Sequence, residues 1–340
     1  MAKPKIAFYW CASCGGCEEA IIDLNEDILK VADLVNIVFW PCAMDFKYDE
    51  VRKMKDKEID AAFINGAIRT DEQQEMANLL RKKAKIVVSF GACSHLGGIP
   101  GLANFYDKDM IFASSYGEKC PSIDNPQFIV PEKKVKVPEG ELTLPGFHNT
   151  VKSLDQVVDV DYYIPGCAPA PYLTMKAINN ILSGDLPPKG TVLAPSKSLC
   201  DRCSRNDSKP DKLAVKEIKR VSLVDVDPEK CFLAQGIICL GPVTRSGCSE
   251  EGDGRCINVN MPCRGCYGAP PDVKDVGAKM VAAIASILGL DDEEKMSDEE
   301  MEKLMDQIVD PAGTFYRFSL AVSLLRRKRN DILDKEKPHA

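Results

Sequence analysis

The chain has 340 residues, 45% hydrophobic and 28% charged, with a formal net charge of −7. That length and composition suit one large soluble domain or two. The acidic balance argues against nucleic acid as the main partner, and no uncharged apolar run approaches the ~18 residues of a membrane helix.

Short apolar, β-branched and aromatic runs predict strands at KIAFYW (5–10), VNIVFW (35–40), DAAFIN (60–65), AKIVVSF (84–90) and VDYYIPG (160–166). Between the first four lie helix-like stretches, EEAIIDLNEDILKVADL, YDEVRKMKDKE and DEQQEMANLLRKKA. This alternation predicts an α/β fold, a flavodoxin-like doubly wound parallel sheet over residues 1–190. Residues 117–150, rich in Pro, Gly and charge, read as a long loop or lid. From 191 to 271 regular elements give way to cysteines, Gly and Pro, an irregular domain that bound metal would organise. A helical C-terminal extension over 272–340 completes the division.

In that extension Val273, Val276, Met280, Ile284 and Ile287 form one helical stripe. Ser297 and Glu300 are spaced as a capping box. The ending TFYRFSLAVSLLRRKRND reads as a docking segment or a surface-packed terminus. Its side chains Phe315, Phe318, Leu320 and Leu324 are expected to pack partly on another subunit. There is no secretory or twin-arginine leader, so a cytoplasmic protein is expected.

Fifteen cysteines are an odd number and include C-x-x-C pairs, a usage that points to metal or cluster binding rather than disulfides. The three histidines, His95, His148 and His339, are scattered and read as structural, with His339 at an end expected to be disordered. In a doubly wound sheet, ligands bind beyond the carboxyl ends of the strands. Cys11, Cys14 and Cys17 follow strand one, Cys42 strand two, Cys93 strand four and Cys167 strand five. The run CASCGGC starts as a bacterial ferredoxin does, but the closing x3-C-P is missing. Gly15 and Gly16 fit no phosphate-binding pattern, so a cluster is favoured over a nucleotide.

Downstream come Cys200 and Cys203, Cys231, Cys239, Cys248, Cys256, and Cys263 with Cys266. Eight cysteines suffice for two four-ligand sites. The two C-x-x-C pairs are too far apart for a zinc ribbon, and the widely spaced single cysteines suit a cubane, whose corner irons each take one thiolate.

On these residues the chain resembles the small subunit of nickel–iron hydrogenases, up to about residue 275. Cys14, Gly16, Cys17 and Glu19 match that family's opening, GACSHLGGIP its next segment with Cys93, and PGCAP the one with Cys167. The resemblance implies a proximal 4Fe–4S cluster on Cys14, Cys17, Cys93 and Cys167, with Cys11 a spectator. The family's distal cluster usually takes an H-x-x-C pair. Here Cys200 and Cys203, with Cys231 and Cys239, imply an all-cysteine site. Cys248, Cys263 and Cys266 match the medial cluster. Cys256 stands where many relatives carry proline and a 3Fe–4S centre, implying a third full 4Fe–4S cluster. Cys11, Cys42 and Cys120 are left free.

The motifs of the nickel-bearing subunit, R-x-C-x-x-C and D-P-C-x-x-C, are absent, so this chain is not expected to split hydrogen itself. The resemblance implies a nickel–iron large subunit as partner. Electrons would pass through proximal, medial and distal clusters in turn. Glu19 is assigned to the subunit interface, or to a helix N-terminus that favours a carboxylate. The long tail looks most like the cytoplasmic methyl-viologen-reducing type of methanogens. That type implies a 2Fe–2S electron-transfer subunit and a flavin-containing heterodisulfide reductase complex beyond the distal cluster. Two alternatives stand beside this reading: an iron–sulfur subunit of another redox complex, such as the quinone-oxidoreductase relative, and a zinc-stabilised scaffold.

Overall fold

The computed structural model describes residues 3–117, 120–250, 253–288 and 297–324. His339 and the basic end of the tail lie outside the described residues. The first part of the chain runs β1 (Lys5–Trp10), α1 (Gly16–Ile22), α2 (Asp27–Leu34), β2 (Asn36–Phe39), α3 (Tyr48–Lys53), β3 (Ile59–Asn65), β4 (Ile68–Thr70), α4 (Asp71–Lys83) and β5 (Ala84–Phe90). It continues through α5 (Ala92–Leu96), α6 (Lys108–Tyr116), β6 (Lys134–Val137), β7 (Gly140–Thr143), β8 (Phe147–Lys152), β9 (Tyr162–Ile164), α7 (Pro171–Ser183) and β10 (Thr191–Val192).

Six strands form one parallel sheet in the order β2–β1–β3–β5–β9–β10. This is the flavodoxin-type order with one strand added. Alternation along β1 explains why both faces are covered. Ile6 and Phe8 pack with Ile21, Leu173 and Ile178 of α1 and α7. Ala7 and Tyr9 point the other way, onto Val51, Met76 and Leu80 of α3 and α4. Pairing also aligns the strand ends: Trp10 lies opposite Asn65, Asn65 opposite Phe90, and Phe90 opposite Ile164. The loops that leave β1, β5 and β9 therefore start from one line.

Several expectations change. The single helix expected over residues 18–34 is two helices, because Asn25 takes a left-handed conformation (φ 52°) that asparagine tolerates better than most residues. The segment expected to be a loop holds a β6–β7 hairpin, and β8 pairs antiparallel with β4. Pro138, Glu139 and Gly140 supply the hairpin's turn chemistry.

A second core covers the cysteine-rich region. Leu199, Phe232, Leu240 and Ile257 join Met280 and Ile284 of α9 (Val276–Ile287) and Phe315. Short helices α8 (Arg255–Asn258), α10 (Asp298–Asp306) and α11 (Pro311–Phe315) complete this part. Ser297 and Glu300 form the expected capping box on α10. The tail corrects the docking expectation. Phe315 (4% exposed), Phe318 (8%) and Leu320 (2%) are buried within this chain, and of the four side chains only Leu324 is exposed. Phe318 packs on Ala92 and Leu96 of α5, and Gly98 N–H donates to its carbonyl. Among the described residues no helix is long and apolar enough to cross a membrane.

Candidate metal centres

The first thiol set lies beyond the aligned strand ends. Cys14 and Cys17 follow β1, Cys93 is the second residue of α5 after β5, and Cys167 follows β9. Cys17 is within electrostatic reach of Cys93, Cys167 and Cys14, so the four thiols face one another. Glycines make the room. Gly15 (φ 87°) starts α1 in a left-handed turn, and Gly16 N–H reaches Cys14 Sγ at 3.4 Å. A Cβ on Gly91 would collide with Cys17 Sγ. Cys17 and Cys93 are buried, Cys14 and Cys167 exposed. Burial raises the Cys17 thiol strongly and Cys93 to about 12, so these two thiols stay protonated without metal.

A second set gathers Cys248, Cys256, Cys263 and Cys266. Cys266 interacts with Cys248 and Cys256, and Cys263 with Cys266. Cys256 is the second residue of α8, and a Cβ on Gly254 would lie 3.0 Å from Cys248 Sγ. The third set, Cys200, Cys203, Cys231 and Cys239, lines one pocket with Arg205, Phe232 and Ile257. Gly241 sits between two of its thiols: a Cβ there would be 3.2 Å from Cys200 Sγ and 3.6 Å from Cys239 Sγ. Burial pushes Cys200 to about 12 and Cys239 to about 11.

The sets adjoin one another. Cys167, in the first set, lies within electrostatic reach of the Cys266 thiol in the second. The amide of Cys263, in the second, donates to Cys239 Sγ in the third at 3.3 Å. In return, Leu240 N–H donates to the carbonyl of Cys263 at 3.0 Å.

The remaining cysteines stand apart. Cys11 is buried on the opposite face of the sheet with Tyr9, Ile64 and Ile68. Cys42 is exposed, and the charges acting on it are Glu18 and Glu19. Cys120 is half-buried in the segment after α6. His95 packs on the ring of Tyr163 at 4.7 Å, and burial with the nearby Arg245 lowers it to about 4, a structural histidine. Glu19 is exposed next to the first set.

Glu18, which no sequence signal singles out, is buried directly behind Cys17. Asn65 Nδ2 donates to its Oε1 at 2.5 Å, and Trp40 Nε1 donates to its Oε2. Burial raises its carboxyl, and the two hydrogen bonds oppose that rise. Nothing in the local sequence separates this buried glutamate from its exposed neighbour.

The donor sets fit iron–sulfur clusters: four thiols each, in glycine-lined recesses, two from a C-x-x-C pair and two from separate stretches of backbone. Among the described residues, no three His, Cys, Asp or Glu side chains converge closely enough to hold a single metal ion.

A family model described as "NADH ubiquinone oxidoreductase, 20 Kd subunit" matches residues 14–181. The chain is 38% identical, over 95% of its own length and 98% of the relative's, to the iron–sulfur subunit of the F420-non-reducing hydrogenase of Archaeoglobus profundus. It is 37% identical, over 96% of its own length and 97% of the relative's, to a subunit of the F420-non-reducing hydrogenase of Methanothermobacter thermautotrophicus. Among solved structures, the oxidised [NiFeSe] hydrogenase of Desulfovibrio vulgaris Hildenborough shares the fold, with a TM-score of 0.50 at 16% identity, covering 80% of this chain and 96% of that one.

Proposed function

The chain belongs to the family of F420-non-reducing hydrogenase iron–sulfur subunits, and from that membership we propose that it carries electrons through three 4Fe–4S clusters in a nickel–iron hydrogenase. It is a subunit of an oxidoreductase that acts on hydrogen, and a small subunit of this kind works with a large one. Cys14, Cys17, Cys93 and Cys167 would hold the proximal cluster. Cys248, Cys256, Cys263 and Cys266 would hold the medial one, and Cys200, Cys203, Cys231 and Cys239 the distal one. When bound, the clusters take up and release single electrons.

The observation that carries this reading is a pair of contacts: Cys167 of the first set reaches the Cys266 thiol of the second, and the Cys263 amide of the second donates to Cys239 Sγ of the third. They make the three sets one contiguous series rather than three separate stabilising sites. The chain's own residues hold each thiol in place and bury at least one thiol of every set. Cys14 and Cys167 are exposed at one end. The second and third sets are covered alike, each with one buried and three half-buried thiols. We assign the first end, with Glu19, to the interface with the large subunit. The second end faces a 2Fe–2S subunit and a heterodisulfide reductase flavin complex in the cytoplasm. On this reading residues 1–190 hold the proximal cluster, 191–271 the other two, and 272–340 are a helical C-terminal extension.

The matched family model supports a second reading, an iron–sulfur subunit of another redox complex, but it stops at residue 181, before all eight downstream cysteines. Metal analysis of anaerobically purified protein tests the proposal: about twelve irons per chain with matching sulfide are expected for three cubanes. A colourless protein with two zincs would refute it.

A further inference from the structure

We propose that Arg205 is the built-in counter-charge of the third thiol set, a positioning residue that holds the distal cluster at a higher reduction potential. The inference rests on the reading that a cluster occupies that set.

Arg205 lies two residues after Cys203 and lines the same pocket as Cys200, Cys203, Cys231 and Cys239. Its side chain is 5% exposed. A buried guanidinium is costly unless something compensates its charge. Its own hydrogen bonds do not. Nη2 donates to Asn260 Oδ1 at 2.9 Å and to the carbonyl of Ile257 at 3.5 Å, and Nη1 donates to the carbonyl of Asp227 at 3.5 Å. All three acceptors are neutral. Among the described residues no carboxylate forms an ion pair with it. The Asp227 carboxylate feels its charge but is spent on Lys230 and the Glu229 amide in solvent.

The surroundings fix the guanidinium rather than neutralise it. Its Cζ stands 4.4 Å over the Phe232 ring. Asn260 holds a left-handed backbone (φ 56°), and its Nδ2 donates to the carbonyl of Val226, which leaves Oδ1 for Arg205. The charge of Arg205 lies within electrostatic reach of the Cys203 thiol. A cluster held by four thiolates is an anion, and it supplies the missing compensation. Each added electron makes it more negative, so a fixed cation beside it favours the reduced state.

The test compares the anaerobically purified complex carrying wild-type chain, Arg205→Gln or Arg205→Lys. Iron and sulfide are counted, and midpoint potentials are followed by paramagnetic resonance. The distal signal is the one missing from Cys231→Ala. Arg205→Gln should keep wild-type iron and move the distal midpoint to a more negative value, with the other two unmoved. Arg205→Lys, which keeps the charge, should move it less. An unchanged distal midpoint in Arg205→Gln at full iron overturns the proposal. If Arg205→Gln instead loses the third cluster, retention of that iron in Arg205→Lys supports the charge, and its loss there too leaves only packing and overturns it. A wild-type chain without iron at this set would overturn the functional reading on which the proposal rests.

Discussion

A Cβ added to Gly98 would lie 2.5 Å from the Sγ of Cys93 and 2.7 Å from its Cα. Gly98 also has φ 58° and ψ −157°, a region that side chains other than glycine's rarely enter. Gly98→Ala should therefore displace Cys93 and cost the proximal cluster. The expected result is a loss of about four irons per chain with the fold retained by circular dichroism. Full iron in the variant would show that Cys93 is not a ligand.

Cys11 and Cys14 separate cleanly. Cys11 faces the α3–α4 side of the sheet, away from the other thiols, whereas Cys14 faces Cys17, Cys93 and Cys167. Cys11→Ala should keep all three clusters and lose about 1 kcal/mol of stability from the cavity it leaves. Cys14→Ala should lose the proximal cluster. Equal iron loss from both would reverse the assignment.

Cys256 is the second residue of α8, where the amide has no partner within the helix and proline is tolerated. Cys256→Pro should leave the fold intact and convert the medial cubane to a 3Fe–4S centre with a more positive potential. A new paramagnetic signal in the oxidised protein is the readout. Complete iron and no such signal would mean that the fourth thiolate comes from elsewhere.

Asp161 clamps the far side of the sheet. It accepts from Val87 N–H at 2.8 Å, from Arg81 at 2.6 Å and from Lys189 at 2.7 Å. Burial works against its charge, but Lys189, the Val87 amide and Arg81 outweigh it and hold the carboxyl below the ordinary aspartate range. A depressed folded pKa contributes stability above about pH 4 that is lost as pH falls through the folded value. Asp161→Asn should cost about 2–3 kcal/mol at neutral pH, and the gap to wild type should narrow in acid. Denaturant titrations at the two pH values measure it, and a gap independent of pH would refute the account.

Ala321 is fully buried against Gly97 and Gly101 of the loop after Cys93. Ala321→Val should overpack that contact and cost about 1–3 kcal/mol. A melting temperature equal to wild type would show that the tail is loosely held.

How much of this could be seen in the sequence depended on how many constraints each residue carried. The strands β1, β3 and β5 are buried on both faces, so nearly every position is apolar, and such runs stand out. The cysteines stood out by their number and their C-x-x-C spacing. What stayed hidden was decided by distant partners. The three-residue β4 and the half-buried β8 are recognisable only as a pair. Glu18 and Glu19 are adjacent glutamates, and only Trp40 and Asn65, far along the chain, decide which one is buried. Phe315, Phe318 and Leu320 looked like a sticky end because the surfaces that receive them, α5 and the second core, are assembled from earlier segments.

The contact between Ala321 and the Gly97–Gly101 loop also sets an order in time. A ribosome delivers Cys14, Cys17, Cys93 and Cys167 long before residues 315–323 emerge. Until that segment arrives, the loop behind Cys93 lacks the cover of Ala321 and the Phe318 carbonyl. During translation the recess that holds Cys93 therefore stands without its back wall until the last of these segments folds onto it.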